Sequence, residues 1–277
     1  MEKDMTRPTR FCRVAWIVDD MEPVEAQLKQ LFGLPLRFGD IATDVIKAGI
    51  DEHGLEPIEL FVPAEQLPFM EGLPYPLVEI ALAVDDCEDS YRRLAADGIM
   101  PSFTSPLPGP DTQEHLYAHG FGELPVMVCT DGDNEAMMAP FRDLESTPPP
   151  KVGVVAMAVD SIDAIAPLFT RYFGMEFAET DPAGLGARAV VGKHRMKLVE
   201  KPDPSFADQA MQSLLATEMM FENAEEIRDR LIGAGYSVRH ERTFKSGRKA
   251  WYFGKVIAGL PLTIYHPDDD AEARGLA

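Results

Sequence analysis

The sequence predicts an α+β protein of two tandem domains, each built from a pair of β-α-β-β-β modules. Three observations predict it. One plan recurs four times: an apolar strand, an acidic helix start, an apolar-periodic helix and a closing glycine. The copies lie at fixed offsets, and a proline run divides them into pairs. The first copy runs from Arg13-Val14-Ala15-Trp16-Ile17-Val18-Asp19-Asp20 to Phe32-Gly33. Val154 to Asp160 leads to Phe173-Gly174, with Val155 and Gly174 each 141 residues after Val14 and Gly33. Glu79 to Asp86 leads to Gly98, and Thr217 to Asn223 leads to Gly235, with Asn223 and Gly235 each 137 residues after Asp86 and Gly98. Self-similarity at a fixed offset sets the architecture before any single motif is read.

The elements follow in order. Asp19-x-x-Glu22 is a variant of the capping box, whose side chains satisfy the orphan N–H groups of a helix start. Val24, Leu28, Leu31 and Phe32 then mark one helical face, and Gly33 ends it. Strand-like runs at 36–38, 44–49 and 58–62 complete the unit, closed by Pro63. The second unit has a strand at 77–84, a helix bearing Tyr91, Leu94 and Ala95, a loop with Pro101, Pro106, Pro108 and Pro110, and strands at 114–121 and 125–130. Asp131 to Pro150 ends in three prolines, which favour a stiff extended spacer, and reads as the linker between domains. The third unit carries Ile165, Leu168, Phe169 and Phe173 on its helix and a last strand at 195–199. In the fourth, Asn223-x-x-Glu226 opens a helix with Ile227 and Leu231, and strands at 249–253 and 260–265 precede an acidic tail from Asp268. The predicted domains are 8–145 (modules 8–63 and 76–131) and 151–268 (modules 151–201 and 214–268). One such module has an open sheet edge and half a core, so two must combine, within one chain or by exchange in a homodimer.

The bulk numbers exclude some partners. With 26 basic and 46 acidic residues the net charge is −20, which disfavours binding to nucleic acid or an anionic membrane surface. The first residues lack the apolar core of a signal peptide, and no stretch approaches a membrane span. The three cysteines, Cys12, Cys87 and Cys129, read as buried free thiols of a reducing compartment, so a cytoplasmic protein is expected, monomer or homodimer.

The strand Val14 to Asp20 with Phe32-Gly33, the run Ile58-Glu59-Leu60, the strand Glu79 to Asp85, and Val154 to Asp160 with Phe173-Gly174 together resemble the vicinal oxygen chelate superfamily. That group includes glyoxalase I, bleomycin-resistance proteins, methylmalonyl-CoA epimerase and extradiol dioxygenases. The resemblance implies that paired modules curl into a cup-shaped mixed sheet. It also implies a metal held by the start of each module's first strand, often through His, and by its last strand, often through Glu. Carried over residue by residue, those positions are Arg13, Glu59, Glu79 and Met127 in the first cup, and Val154, Lys197, Ala216 and Thr263 in the second. The second set offers no carboxylate or imidazole and includes an ammonium, so it does not suit a divalent metal.

In the first cup, strand alternation places Arg13, Glu59, Phe61, Glu79 and Met127 on one side. A guanidinium beside two carboxylates favours an ion cluster over a metal, and raises the proton affinity of the carboxylate left unpaired. Glu59 or Glu79 is then a candidate base, with Arg13 stabilising an oxyanion and Phe61 and Met127 touching the ligand. If a divalent metal is present instead, Glu59 and Glu79 are its ligands. His115, Tyr117 and His119 share one face at period two, and taken as facing the cup they add acid–base groups. In the second cup, Lys193, Arg195 and Lys197 alternate along one strand, and aligning Phe253-Gly254 with Phe121-Gly122 adds Lys249 and Trp251. That set suits a small anionic or aromatic ligand; the same cations could equally form a solvated strand face. The expected function is a glyoxalase-like isomerase, epimerase or lyase with no resident cofactor. A metal-independent sequestering protein of bleomycin-resistance type and an extradiol-type dioxygenase are the alternatives.

Overall fold

The computed structural model describes residues 10–18, 21–33, 37–38, 45–47, 56–61, 77–106, 113–122, 124–130, 151–182 and 184–275. Their strands form two eight-stranded sheets. The first contains β1 (Arg10–Ile17), β2 (Arg37–Phe38), β3 (Val45–Lys47), β4 (Glu56–Phe61), β5 (Leu77–Val84), β6 (Phe103–Pro106), β7 (Gln113–Tyr117) and β8 (Val126–Thr130). The second contains β9 (Lys151–Val159), β10 (Phe177–Thr180), β11 (Gly186–Gly192), β12 (Met196–Pro202), β13 (Leu214–Met220), β14 (His240–Thr243), β15 (Lys249–Lys255) and β16 (Pro261–Tyr265). The orders β2-β3-β4-β1-β5-β8-β7-β6 and β10-β11-β12-β9-β13-β16-β15-β14 are the same permutation.

Each module's first strand lies parallel to its last, as in β1 with β4 and β13 with β16. Parallel neighbours need a crossover rather than a hairpin, and the helix after each first strand supplies part of it. The two first strands meet antiparallel at the centre, β1 with β5 and β9 with β13. Modules therefore pair one with two and three with four inside the chain.

The helices are Met21–Phe32, Cys87–Ala96, Ile162–Phe173 and Ala224–Gly233. Gly33, Gly98, Gly174 and Gly235 follow them with φ of 68°, 79°, 64° and 95°, the left-handed turn that an L side chain resists. Asp86 and Ser161 cap their helices by accepting from the backbone N–H groups of Asp89 (2.9 Å) and Ala164 (3.3 Å). Asn223 makes no such cap; its amide donates to Glu226 at 2.9 Å instead.

The apolar helix faces pack on one side of each sheet, and the two helix layers share a core. Phe32 meets Phe221 at 5.6 Å between ring centroids, and Phe121 meets Phe169 and Phe173 at 5.1 and 5.5 Å. The opposite sheet faces carry smaller clusters: Ala81, Ala83, Leu116, Met127 and Cys129 on the first, and Ala156, Val199, Leu215, Ala216 and Tyr252 among others on the second. These are the cup faces. Cys87 and Cys129 are buried, their Sγ atoms facing the Val128 and Leu82 carbonyls; the Cys12 side chain lies outside the described residues, as does the segment 131–150. No described helix is long and apolar enough to cross a membrane.

Candidate functional site

The first cup is positioned by the backbone of β4, β1 and β5. Ala15 pairs with Glu59 on one side and Glu79 on the other, and Glu59 pairs onward with Lys47, so these positions form one row across the sheet. Arg13 lies in the next row, paired with Ala81, which pairs with Met127. The side chains of Arg13, Glu59, Phe61 and Glu79 lie outside the described residues. Met127 is buried on the cup face beside Leu116 and Ala81.

His115 and Tyr117 do not join this cup. His115 stacks on Tyr91 of the helix Cys87–Ala96, with ring centroids 5.0 Å apart. Its Nε2 is 3.3 Å from Glu88, and its Nδ1 is 2.9 Å from the Thr104 hydroxyl. Tyr117 is buried in the helix-side core against Phe121, its hydroxyl held by burial well above the usual phenol range. His119 is exposed in the bend beyond β7. Alternation holds within β7, but the face carrying His115 and Tyr117 is the helix face, and the strand stops at Tyr117.

The second cup divides its predicted residues. Lys193 is exposed in the turn between β11 and β12, and β12 begins only at Met196, so alternation does not extend back to it. Lys249 is exposed and pairs with Glu241 at 2.6 Å. Trp251 pairs with Ile264 and is buried on the helix side, with the Arg228 guanidinium 4.8 Å from its ring centroid. Arg195 and Lys197 do reach the cup. Lys197 is 1% exposed, and Arg195 is buried with φ at 65°, a strained value for a non-glycine residue.

Around them the structure assembles groups the sequence reading passed over. Glu218 on β13 is 8% exposed and pairs with Thr263 on β16. Its Oε2 is buried with no hydrogen-bond partner among the described residues. Burial pushes its carboxyl above the usual range; Lys197 and the Tyr265 hydroxyl offset part of the rise, and Asp270 adds to it. The buried Tyr265 hydroxyl donates to Asp270 Oδ1 at 3.3 Å and is itself raised well above ordinary phenols, by burial and then by Glu218 and Asp270. Gly153 makes the room. A Cβ there would sit 2.9 Å from Glu218 Cβ and 3.0 Å from Tyr265 Cζ. Glu218 and Tyr265 line a cavity walled by Leu185, Phe206, Phe244 and Tyr252, with His240 and Arg242 also at its edge. The readable signal for Glu218 was an acid inside β13, a strand buried along its whole length.

The metal positions implied by the family pattern can be tested here. Val154, Lys197, Ala216 and Thr263 supply one hydroxyl, one ammonium and two hydrocarbon side chains, which do not fit a divalent cation. Among the described residues no three His, Cys, Asp or Glu side chains converge as a metal site. A buried ammonium stands where the pattern expects a carboxylate ligand.

No protein-family model and no curated protein matches the sequence. Solved structures do match the fold. A Mn(II)-bound glyoxalase from Novosphingobium aromaticivorans aligns at a TM-score of 0.64 and 16% identity, covering 94% of this chain and 82% of that one. The 2,3-dioxygenase LapB from Pseudomonas sp. KL28 aligns at 0.61 and 13% identity, covering 95% of both chains. A variant of 4-hydroxymandelate synthase from Streptomyces coelicolor aligns at 0.61 and 14% identity, covering 99% and 98%. Four β-α-β-β-β modules in two sheets of one strand order, matched over nearly the whole chain by these structures, give this chain the fold that the glyoxalase and dioxygenase structures share.

Proposed function

We propose that the protein is a metal-independent small-molecule isomerase or epimerase whose working site is the second cup, with Glu218 as the proton carrier. The observation that carries this reading is the buried Glu218 carboxyl. It lines a cavity, has one oxygen without a partner among the described residues, and stands beside Lys197 and Tyr265. A carboxyl with raised proton affinity is a stronger base when ionised and keeps a proton to return over a wider pH range, which suits reversible transfer. The balanced step is proton abstraction from a carbon next to a carbonyl by Glu218. The electron pair moves onto the carbonyl oxygen, and the enolate is stabilised by the Lys197 ammonium. Return of the proton to the other face, or to another atom, releases the isomer. Extradiol ring cleavage would need iron in a His-His-Glu set, and the residues at the corresponding second-cup positions do not provide one.

The test is deuterium wash-in followed by NMR, over a panel of carbonyl compounds with an acidic Cα–H: hydroxyketones, thioesters and 2-oxo acids. The full chain should exchange at least one of them, at the same rate before and after chelator treatment. Glu218→Gln should exchange it about 100- to 10,000-fold more slowly. Binding without exchange by the unmutated protein would return it to a sequestering role. Activity lost on chelation and restored by a metal would overturn the metal-independent reading.

A further inference from the structure

The chain's own C-terminal segment packs into the second cup. After β16 the chain turns at His266-Pro267 into two short helical turns, Pro267–Asp269 and Asp270–Ala273. Asp270 places its carboxylate in the cup: Oδ1 accepts from Arg195 Nη1 at 3.0 Å and from the Tyr265 hydroxyl at 3.3 Å. Ala273 lines the cavity wall. With the segment in place the free space beside Glu218 is about 50 Å³, the scale of a few waters. A cation, a phenol and apolar walls are the groups that recognise a carboxylate joined to an apolar body, and here a side chain of the same chemistry already occupies them.

The segment's attachments are mostly polar. Asp269 is gripped by Arg248 Nε and the Ser246 hydroxyl, both at 2.7 Å. Glu272 accepts from the Lys245 backbone N–H at 2.9 Å, and its carbonyl accepts from Arg242 at 3.2 Å. Among the described residues of 266–275, Ala273 is the one fully buried apolar side chain. The strap is thus held by part-buried polar contacts with little apolar anchorage, and few buried apolar contacts are a mark of segments that open locally.

We infer that the Asp270 carboxylate is an internal stand-in for the ligand: the second cup takes a small carboxylate with an apolar body, which displaces the segment 266–275 to reach Arg195 and Tyr265. This names the ligand class for the site proposed above and rests on that reading of the cup.

The probes are benzoate and benzamide, its uncharged counterpart, titrated calorimetrically into the full chain and its Asp270→Asn variant. Asp270→Asn should bind benzoate about tenfold tighter or more, as expected when an internal competitor no longer holds most of the population closed. Benzamide should bind the two proteins alike. In the unmutated chain, benzoate at saturation should reduce the hydrogen-exchange protection of residues 268–275. That readout needs no variant, so a poorly folding Asp270→Asn does not blunt the test. Equal benzoate affinity of the two proteins, no benzoate binding by the variant, or unchanged protection of the segment overturns the inference. Neither arm depends on turnover. A segment displaced by benzoate in a protein that washes in no deuterium would overturn proton transfer alone, and wash-in beneath an immobile segment would overturn the strap alone.

Discussion

Glu218 concentrates the cost and the use of this site in one side chain. Ionised, it sits out of water with one oxygen unpartnered among the described residues, opposed by Lys197; a buried carboxylate so placed costs stability. Gly153 shows that the surrounding chain yields to the cluster, since a side chain at 153 would collide with Tyr265 and Glu218. Folding raises the carboxyl's proton affinity above its ordinary value of 4.5. The folded state therefore binds the proton more tightly than the unfolded state, and stability present below about 4.5 is lost as pH rises toward the folded value. Glu218→Gln, with no charge to bury, should escape that loss. Urea denaturation should find the two proteins similar near pH 4 and the variant more stable by about 1–3 kcal/mol at pH 7. Parallel curves across that range would show that the carboxylate is not strained.

At the scale of elements, strand alternation was readable, but the side of the sheet it addressed was not. Period two says that His115 and Tyr117 share a face; it does not say which face, and a shift of one residue exchanges the two. The helix Cys87–Ala96 claims them, through Tyr91 and Glu88, and the aligned strand β15 repeats the outcome with Trp251. Lys193 and His119 failed for a second reason, because the strands end before them. The repeat itself was legible, since its glycines must take a left-handed turn and its helices must bury one face. Glu218 was not, because aligning first strands drew attention to Ala216, and the acid two residues further on has no counterpart in the copies. The helix-face assignment of Tyr117 is testable. Its hydroxyl is buried and unpartnered among the described residues, so Tyr117→Phe should be neutral or stabilising by up to about 1 kcal/mol and should leave deuterium wash-in unchanged. A loss of exchange with intact stability would return Tyr117 to the chemistry.

The whole molecule is two sheets whose helix layers share one core, and the contacts between the halves differ greatly in weight. Asp97 accepts from Arg171 Nη2 and from the Tyr172 hydroxyl, both at 2.7 Å. The Arg171 pair is surface-exposed, and such pairs contribute about 0–1 kcal/mol. Phe121 is a different kind of contact. It comes from the first half, is fully buried, and lies 5.1 and 5.5 Å from Phe169 and Phe173 of the second half's first helix. Truncating such a ring removes its transfer free energy and leaves a void that close-packed neighbours only partly fill, about 3–5 kcal/mol in all. Coupling of the halves should therefore rest on Phe121 and not on Arg171. In scanning calorimetry the unmutated chain should unfold in one transition, with calorimetric and van 't Hoff enthalpies in agreement. Arg171→Ala should leave that agreement intact. Phe121→Ala should lower the midpoint and raise the ratio of calorimetric to van 't Hoff enthalpy as the halves begin to unfold separately. If Phe121→Ala lowers the midpoint while the ratio stays at one, the coupling is spread over the rest of the shared core, with Phe32 against Phe221 the next contact to cut.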